Sequence, residues 1–380
     1  MRIVHVIPGL GTGGAEIVLA ALAETLAPAT CMHHVVVPSR GTNSENFVSD
    51  RLRDAGAQIT ALGTAGIAGH GVALRNLRRL IRAERPQLIH GWMHYGNLAA
   101  TIASWGLPNQ KHLWAIHQSF NGYSREKPRA RLGIRIAARL SSRPDAIVYV
   151  SRAAAEQHQT LGFSAANAVV IPNGIDCQRF SPKPEIRSLI RRELGFDEKH
   201  LIVGMVARFH PMKDHHTFLQ AAASVSQRVP GVRFVLVGHG MDLENTVLAG
   251  MISACGVRNS TVLLGERHDL ERLYNAFDVL ASSSSWGEAF PLVLCEAMAC
   301  GVPCVTTDVG DSGFIVGDRD RTVPPRNPTA LGSALLRLLE ADQSWRRAAG
   351  AIGRARIAEN FSLAAMARRY AELYRALLHG

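Results

Sequence analysis

Glu288 and Glu296 stand eight positions apart in WGEAFPLVLCEAMACG (286–301), with only small or apolar residues between them. Pro291 suits the first turn of a helix, where its missing N–H has no partner to lose and its φ is already helical. Gly301 suits the stop. Glu288 is therefore expected in a loop and Glu296 on the helix that follows. A carboxylate among apolar neighbours costs several kcal/mol, roughly, unless donors satisfy it. The two hydroxyls of a ribose are such donors, because a carboxylate can accept from both. A helix start adds free N–H groups and partial positive charge, a seat for phosphate. The same spacing also describes a helix with one solvated glutamate and a capping glutamate ahead of it.

Upstream, VARFHPMKD (206–214) places Arg208 just beyond a β-branched run and Lys213 at the start of the next helical pattern. A planar guanidinium with a mobile ammonium is suited to gripping a diphosphate; an ordinary basic pair on a surface loop has the same appearance. Gly238 in LVGHG (236–240) and Gly265 end successive strand patterns, where bare backbone lets a planar base approach. In KHLWAIHQS (111–119), His117 falls near the carboxyl end of a strand, a place that equally fits a structural histidine. GLGTGG (9–14), closed by Gly13 and Gly14, lies between a strand and a helix. That is the literal form of a dinucleotide-binding turn, and also of a tight turn that needs glycine. The next strand pattern ends in Ser39 and Arg40 rather than an acid, so the dinucleotide form would take NADP, with Arg40 on the 2′-phosphate. His90 and His94 in HGWMH (90–94) straddle a strand end without a carboxylate or thiolate beside them, which argues against a metal. His215 and His216 read as solvent-facing helix residues.

The elements that must position these groups follow from length and pattern. A chain of 380 residues is too long for one ordinary core and implies two domains. Short β-branched runs alternate with helical patterns, the signature of parallel sheets covered by helices on both faces. In the first half, strands are expected near 2–7, 33–38, 57–62, 87–91, 112–117, 145–150 and 168–171, with helices near 14–27, 46–55, 72–85, 95–105, 128–141 and 152–161. FSPKPEIR (180–187) reads as a linker. Beyond it, strands are expected near 201–207, 233–238, 261–265, 278–283 and 303–308. Helices fall near 213–228, 242–255, 269–276, 292–300, 328–340, 344–358 and 362–378. Two doubly wound domains facing one another would enclose a cleft at the carboxyl ends of their strands.

The formal charge of +11 is unevenly spread: residues 1–184 hold 20 Lys/Arg against 10 Asp/Glu, and 185–380 hold 22 against 21. Arg131, Arg135 and Arg139 recur at helical spacing beside Leu132, Ile136 and Leu140. Arg75, Arg78, Arg79, Arg82 and Arg85 make a second basic helix. Such faces suit an anionic membrane or a phosphate-bearing acceptor, as well as plain solvent. With no interleaved aromatics and no nucleic-acid motif, nucleic acid is not an expected partner. Six cysteines without a CxxC pair fit reduced thiols in the cytoplasm, with Cys300 and Cys304 in a core. MRIVHVIPGLG has too short an apolar run for a signal peptide, and no run of about 18 apolar residues follows.

Taken together, VIPGLGTGGAE (6–16), IPNGID (171–176), VARFHPMKD, LVGHG and FDVLASSSSWGEAFPLVLCEAMACGVPCVTTDVGDS (277–312) resemble the GT-B glycosyltransferases. Within them the match is to the large retaining family 4, which builds bacterial polysaccharides, lipopolysaccharides and glycolipids. The resemblance implies an α/β architecture of two Rossmann-like doubly wound domains. An acceptor-side domain would span 1–178, a nucleotide-sugar domain 179–358, and a C-terminal helix at 359–380 would return to the first. Glu288 and Glu296 are then the family's E-x7-E pair, with Glu296 on the donor ribose and Glu288 on the transferred sugar. Arg208 and Lys213 would hold the diphosphate and stabilise its departing charge without a metal or other cofactor. Backbone at Phe290, Pro291 and Leu292 would assist, although Phe-Pro departs from the family's frequent Phe-Gly and removes one donor. His117 would approach the donor sugar, and Gly13, Gly14 and Gly238 would line the ligands. The implied partners are a nucleotide sugar, expected to be UDP-linked with GDP as the alternative, and a glycan or lipid-linked acceptor. The implied place is the cytoplasm, peripheral to the inner face of the cytoplasmic membrane. An NADP-dependent oxidoreductase and a non-catalytic nucleotide-sugar-binding protein are the competing readings.

Overall fold

A computed structural model describes residues 1–11, 14–26, 31–37, 47–62, 66–117, 123 and 127–379, with 66–68 and 70 described by their backbone. The chain forms two units, Met1–Gly174 with Leu363–Gly380, and Ile175–Ser362.

Unit 1 contains β1 (Arg2–Val6), α1 (Gly14–Thr25), β2 (Met32–Val37), α2 (Phe47–Asp54), β3 (Gln58–Ala61), α3 (Gly66–Glu84) and β4 (Leu88–Trp92). It continues through α4 (Met93–Ser104), β5 (Lys111–Ile116), α5 (Pro128–Leu140), β6 (Ala146–Tyr149), α6 (Arg152–Thr160) and β7 (Ala168–Val170). The strands lie in the order β3-β2-β1-β4-β5-β6-β7, each pair parallel. Because strand side chains alternate, the two faces collect different cores. Ile3, Val35, Val37 and Leu88 meet α1 on one side, and Val4, Val36 and Ile89 meet Leu77 and Ile81 of α3 on the other. Arg78 of α3 is committed to structure, donating to the carbonyls of Ala103 (2.9 Å) and Trp105 (2.8 Å). Arg75, Arg79 and Arg82 remain exposed.

Buried histidines thread this unit. Trp92 Nε1 donates to His5 Nδ1 at 3.2 Å, so the opposite nitrogen of His5 carries the proton that reaches His33 Nδ1 at 2.9 Å. His90 Nδ1 lies 2.9 Å from the Tyr374 hydroxyl. His158 gives its Nδ1 proton to the Ala154 carbonyl and receives one from His94 across 3.1 Å. The pair in HGWMH is thus divided, one histidine in a strand and the other in a helix.

Unit 2 contains α7 (Pro184–Glu193), β8 (Ile202–Val206), α8 (His215–Arg228), β9 (Arg233–Val237), α9 (Thr246–Ala254), β10 (Thr261–Leu263), α10 (Leu270–Leu273) and β11 (Val279–Ser282). It closes with α11 (Leu292–Ala299), β12 (Cys304–Thr307), α12 (Ser312–Val316), β13 (Thr322–Val323), α13 (Pro328–Glu340) and α14 (Gln343–Asn360). The order β10-β9-β8-β11-β12-β13 repeats the doubly wound plan. After Ser362 the chain returns to unit 1 as α15 (Leu363–His379), whose Met366, Tyr370 and Tyr374 are buried in the core that α1 covers. Gly174 is required at the crossing, since a Cβ there would stand 2.7 Å from the Leu363 Cα.

The proline-containing segment read as a linker is a folded part of unit 2. Pro184 occupies the first turn of α7, where proline starts a helix rather than breaking one. Arg187 and Arg191, one turn apart on that helix, both pair with Asp278 ahead of β11, at 2.7 and 3.2 Å. His215, expected in solvent, is buried against the Phe209 ring. Among the described residues, no helix is long and apolar enough to cross a membrane.

Burial holds His33, His117 and His158 down at about 4 and His94 at about 3, and lowers His5 and His90 well below the ordinary 6.5. The unfolded chain therefore binds more protons below pH 6.5. This contribution to stability is intact above that value and is lost as pH falls toward 4. In unit 2 the corresponding group is His215, also held at about 4. On moving from pH 7 to pH 5, amide protection in β1 and β4, taken relative to the intrinsic exchange rate at each pH, is expected to fall more than in β8 and β11. Equal loss of protection in both units, measured by mass spectrometry, would contradict this.

Candidate functional site

In unit 2 the winding reverses between β8 and β11, so the loops leaving two neighbouring strands come together at their carboxyl ends. Beyond β8, Ala207 and Arg208 are pressed against Gly238, which has φ +137° and where any Cβ would collide with the Ala207 carbonyl. Ala207 N–H donates to Val237 O at 2.8 Å and Phe209 N–H to His239 O at 2.7 Å, stitching the Arg208 segment to LVGHG. The glycine is thus explained by backbone approaching backbone. The Arg208 side chain is exposed.

Lys213 ends a 3₁₀ turn, Pro211–Lys213, and Asp214 follows it in the left-handed region at φ 48°. Asp214 tolerates that conformation because its carboxylate caps α8, accepting from Thr217 N–H at 3.2 Å and from the Thr217 hydroxyl at 2.7 Å. The serine run after β11 locks the two loops together. Ser283 Oγ donates to the carbonyls of Lys213 and Asp214, and Ser285 N–H to Met212 O. Lys213 Nζ then lies 2.5 Å from Glu288 Oε1, which also accepts the Ser284 hydroxyl at 2.6 Å. Glu288 is 7% exposed, so the ammonium and the hydroxyl are what keep its charge tolerable.

Gly310, at φ +60°, supports this loop from behind, and a Cβ there would strike the Glu288 carbonyl. Glu296 lies on α11 as expected, and the Gly301 stop is a Schellman turn: Val302 N–H reaches Ala297 O and Gly301 N–H reaches Met298 O. Pro291 sits one place earlier than expected, as the N-cap rather than in the first turn, which leaves the Leu292 and Val293 N–H groups without intrahelical acceptors. Phe290 is buried against the Phe361 ring. Glu296 Oε2 accepts the Tyr274 hydroxyl at 2.8 Å. Desolvation raises the pKa of Glu296, opposed by that hydrogen bond and by the charge of Arg179.

Unit 1 presents a concavity at its own reversal, a cavity of about 470 Å³ whose walls include Gly14, Met93, His94, His117, Ile134 and Asn173. The His117 ring stacks on Trp92 with centroids 5.2 Å apart. Met93 adopts φ +58° in this wall, an uncommon conformation for a side-chain-bearing residue. Gly13 and Arg40 lie outside the described residues. The expected site residues therefore fall into two groups: Arg208, Lys213, Gly238, Glu288, Phe290, Pro291, Leu292 and Glu296 in unit 2, and Gly14 with His117 in unit 1.

Residues 186–356 match the family described as Glycosyl transferases group 1, and residues 12–179 match Glycosyltransferase Family 4. The chain belongs to the family 4 glycosyltransferases. A D-inositol 3-phosphate glycosyltransferase of Salinispora arenicola is 35% identical over 211 residues, covering 51% of this chain and 46% of that protein. The Escherichia coli UDP-Gal:alpha-D-GlcNAc-diphosphoundecaprenol alpha-1,3-galactosyltransferase is 31% identical over 149 residues, or 39% of this chain and 38% of that one. The matches thus span about half or less of these curated relatives. Anabaena HepE, solved in complex with UDP, aligns over 99% of this chain and all of its own with a TM-score of 0.83 at 21% identity, which establishes the GT-B fold.

Three residues of this candidate site are absent from the sequence reading. Ser284 acts on Glu288 from four residues earlier in the same loop, whereas Tyr274 meets Glu296 and Gly310 backs Glu288 from other segments. A run of four serines at a strand end was the available signal for the first; nothing local marks the other two. Lys213→Ala would leave a buried carboxylate without its cation and is expected to destabilise the glycosyltransferase by about 3 kcal/mol in urea unfolding. Lys213→Met combined with Glu288→Gln should recover most of that loss. Equal losses in the single and double variants would show that the pair is not what holds the loop.

Proposed function

We propose that the protein transfers a sugar from a nucleoside-diphosphate sugar, with UDP as the nucleotide, to a glycan or lipid-linked acceptor, with retention at the anomeric carbon. The observation that carries the reading is the convergence, at one strand reversal, of the Lys213–Glu288 pair with Glu296 on the adjoining helix. Glu296 has one carboxylate oxygen engaged by Tyr274, and its remaining lone pairs are assigned to the ribose diol. The diphosphate takes Lys213, Arg208 and the Leu292 and Val293 N–H groups at the start of α11. Glu288, released from Lys213, accepts from a hydroxyl of the transferred sugar.

Departure of the diphosphate creates the charge that the two cations are placed to meet, so no metal is required in this scheme. Glu288 already shares its oxygen with an ammonium and a hydroxyl, a poor state for a nucleophile. Retention then follows from attack on the face the phosphate leaves, with the departing phosphate taking the acceptor's proton. His117 is neutral at pH 7, with burial holding it at about 4, so its role toward a hydroxyl is hydrogen bonding rather than proton donation as imidazolium. The Escherichia coli relative carries a diphosphoundecaprenol acceptor in its name, which supports a lipid-linked acceptor here.

Membrane association is proposed through α5. Ile134 and Ala137 are buried, while Leu132, Arg135, Ile136 and Arg139 share the exposed face, and no acidic residue lies on the helix. This combination fits an anionic cytoplasmic leaflet.

In titrations with UDP, GDP and NADPH, UDP binding without NADPH binding is expected; the reverse would return the oxidoreductase reading. Glu296→Gln should raise the donor KM about tenfold with a smaller effect on kcat, the size of one charged hydrogen bond. Arg208→Ala should lower kcat about 100-fold, as for loss of one preorganised donor. Wild-type kinetics in both would reject the assignments. Replacing Arg135 and Arg139 by Gln should weaken sedimentation with phosphatidylglycerol vesicles by about 2 kcal/mol at low salt. Unchanged sedimentation would leave α5 a solvated face.

A further inference from the structure

Glu296 is a half-buried carboxylate, and the cation whose charge acts on it is already occupied. Arg179, the positive group that acts on it, forms its own ion pair with Glu271 at 3.1 Å. The side chain's hydrogen bond among the described residues comes instead from a neutral group, the Tyr274 hydroxyl, 22 residues earlier and 2.8 Å from Oε2. Tyr274 is fully buried at the end of α10, and its ring is fixed between Phe180 and Phe277, each with centroids 6.1 Å away. Its hydroxyl has one proton to give. Burial and the adjacent Glu296 push its ionisation well above the ordinary range, so it remains a donor at every working pH.

We propose that Tyr274 is a positioning residue for ribose recognition: its hydroxyl fixes the Glu296 carboxylate in one orientation, leaving Oε1 and the outer lone pair of Oε2 for the two ribose hydroxyls. This rests on the assignment of Glu296 to the donor ribose. A tyrosine suits the task where a lysine or arginine would not. It holds the carboxylate without neutralising it, so the full negative charge stays available to strengthen hydrogen bonds from the diol. A phenol set in an aromatic cage also has little freedom to follow the carboxylate if it rotates, whereas a long cationic side chain would move with it. The ion pair on Glu288 and the phenol on Glu296 thus give two neighbouring carboxylates different properties from the same local sequence.

The test uses the full-length protein and four ligands: UDP, GDP and their 2′-deoxy counterparts, titrated by calorimetry, with the base that binds carried forward. Wild type is expected to prefer the ribonucleotide about tenfold or more, the worth of a hydrogen bond to a charged group. Tyr274→Phe, which removes one oxygen and keeps the ring, should reduce that preference to about threefold or less while the deoxynucleotide affinity stays near wild type. A merely structural role would weaken both nucleotides alike. Tyr274→Met provides a second variant without the donor should the first fold poorly. Glu296→Gln should lose the preference as well, and Tyr274→Phe should then have no further effect on it. A preference kept in Tyr274→Phe and Tyr274→Met but lost in Glu296→Gln overturns the proposal. A preference kept in Glu296→Gln, or absent from wild type, overturns the ribose assignment itself.

Discussion

Everything at the unit 2 site depends on how the charge of Glu288 is tolerated. A carboxylate buried beside the end of a parallel strand needs a cation and donors at fixed positions, because leaving it unpaired costs about 3–5 kcal/mol, a large fraction of the stability of an ordinary domain. Lys213 and Ser284 meet that need, and their supply explains the local architecture. Lys213 can reach the loop because Asp214 bends the chain through a left-handed turn and recovers the strain by capping α8. The serine run can hold Lys213 because β8 and β11 are neighbours across the reversal, although 72 residues separate the end of one from the start of the other. Gly310 closes the back of the loop where a side chain could not fit.

The same constraint separates the two glutamates. Glu288 is balanced by an ammonium, so a ligand that engages it must compete for an existing ion pair, and a diphosphate that attracts Lys213 lowers that cost. Glu296 is balanced by a phenol, so it keeps its charge and pays for it in a raised pKa. On the proposed assignment, one carboxylate thereby responds to the arrival of an anion, and the other is held for neutral hydroxyls. Spacing within one stretch of sequence set the two groups eight residues apart; their partners, drawn from Lys213, Ser284 and Tyr274, made them different.

The fold was legible wherever burial on both strand faces produced unbroken β-branched runs. β1, β8 and β9 fall within a residue or so of their expected ends, because IVHV, IVGMV and RFVLV admit no other reading. β13 escaped because it is two residues long, and α12 because its five residues include a glycine. α7 was hidden by its prolines, which look the same in a linker and at a helix start. At the site, Glu288, Glu296, Arg208 and Lys213 could be named from their types and from family resemblance. The groups that condition them could not, since Tyr274 and Gly310 act through space and leave no local pattern. His215 failed for a related reason: helical spacing shows which residues share a face, but the ring of Phe209 decides which face is covered.

Unit 1 solves a different problem, and its histidines show which. Every buried histidine around β1 and β4 is held neutral, and His117, stacked on Trp92, is among them. A cavity walled by neutral imidazole, the Asn173 amide, apolar side chains such as Met93 and Ile134, and one carboxylate, Glu16, offers hydrogen bonds without a cation. That chemistry supports the proposed approach of sugar hydroxyls to His117 and gives little to a phosphate. The cations of the unit lie instead on exposed faces, above all on α5, whose buried side lines the same cavity through Ile134. One helix therefore presents an apolar wall to the cavity and arginines with exposed leucine and isoleucine to solvent. The proposed lipid-linked acceptor, with its hydroxyls, phosphates and hydrocarbon tail, is the reading that would use both faces of this helix, the apolar wall and the basic surface.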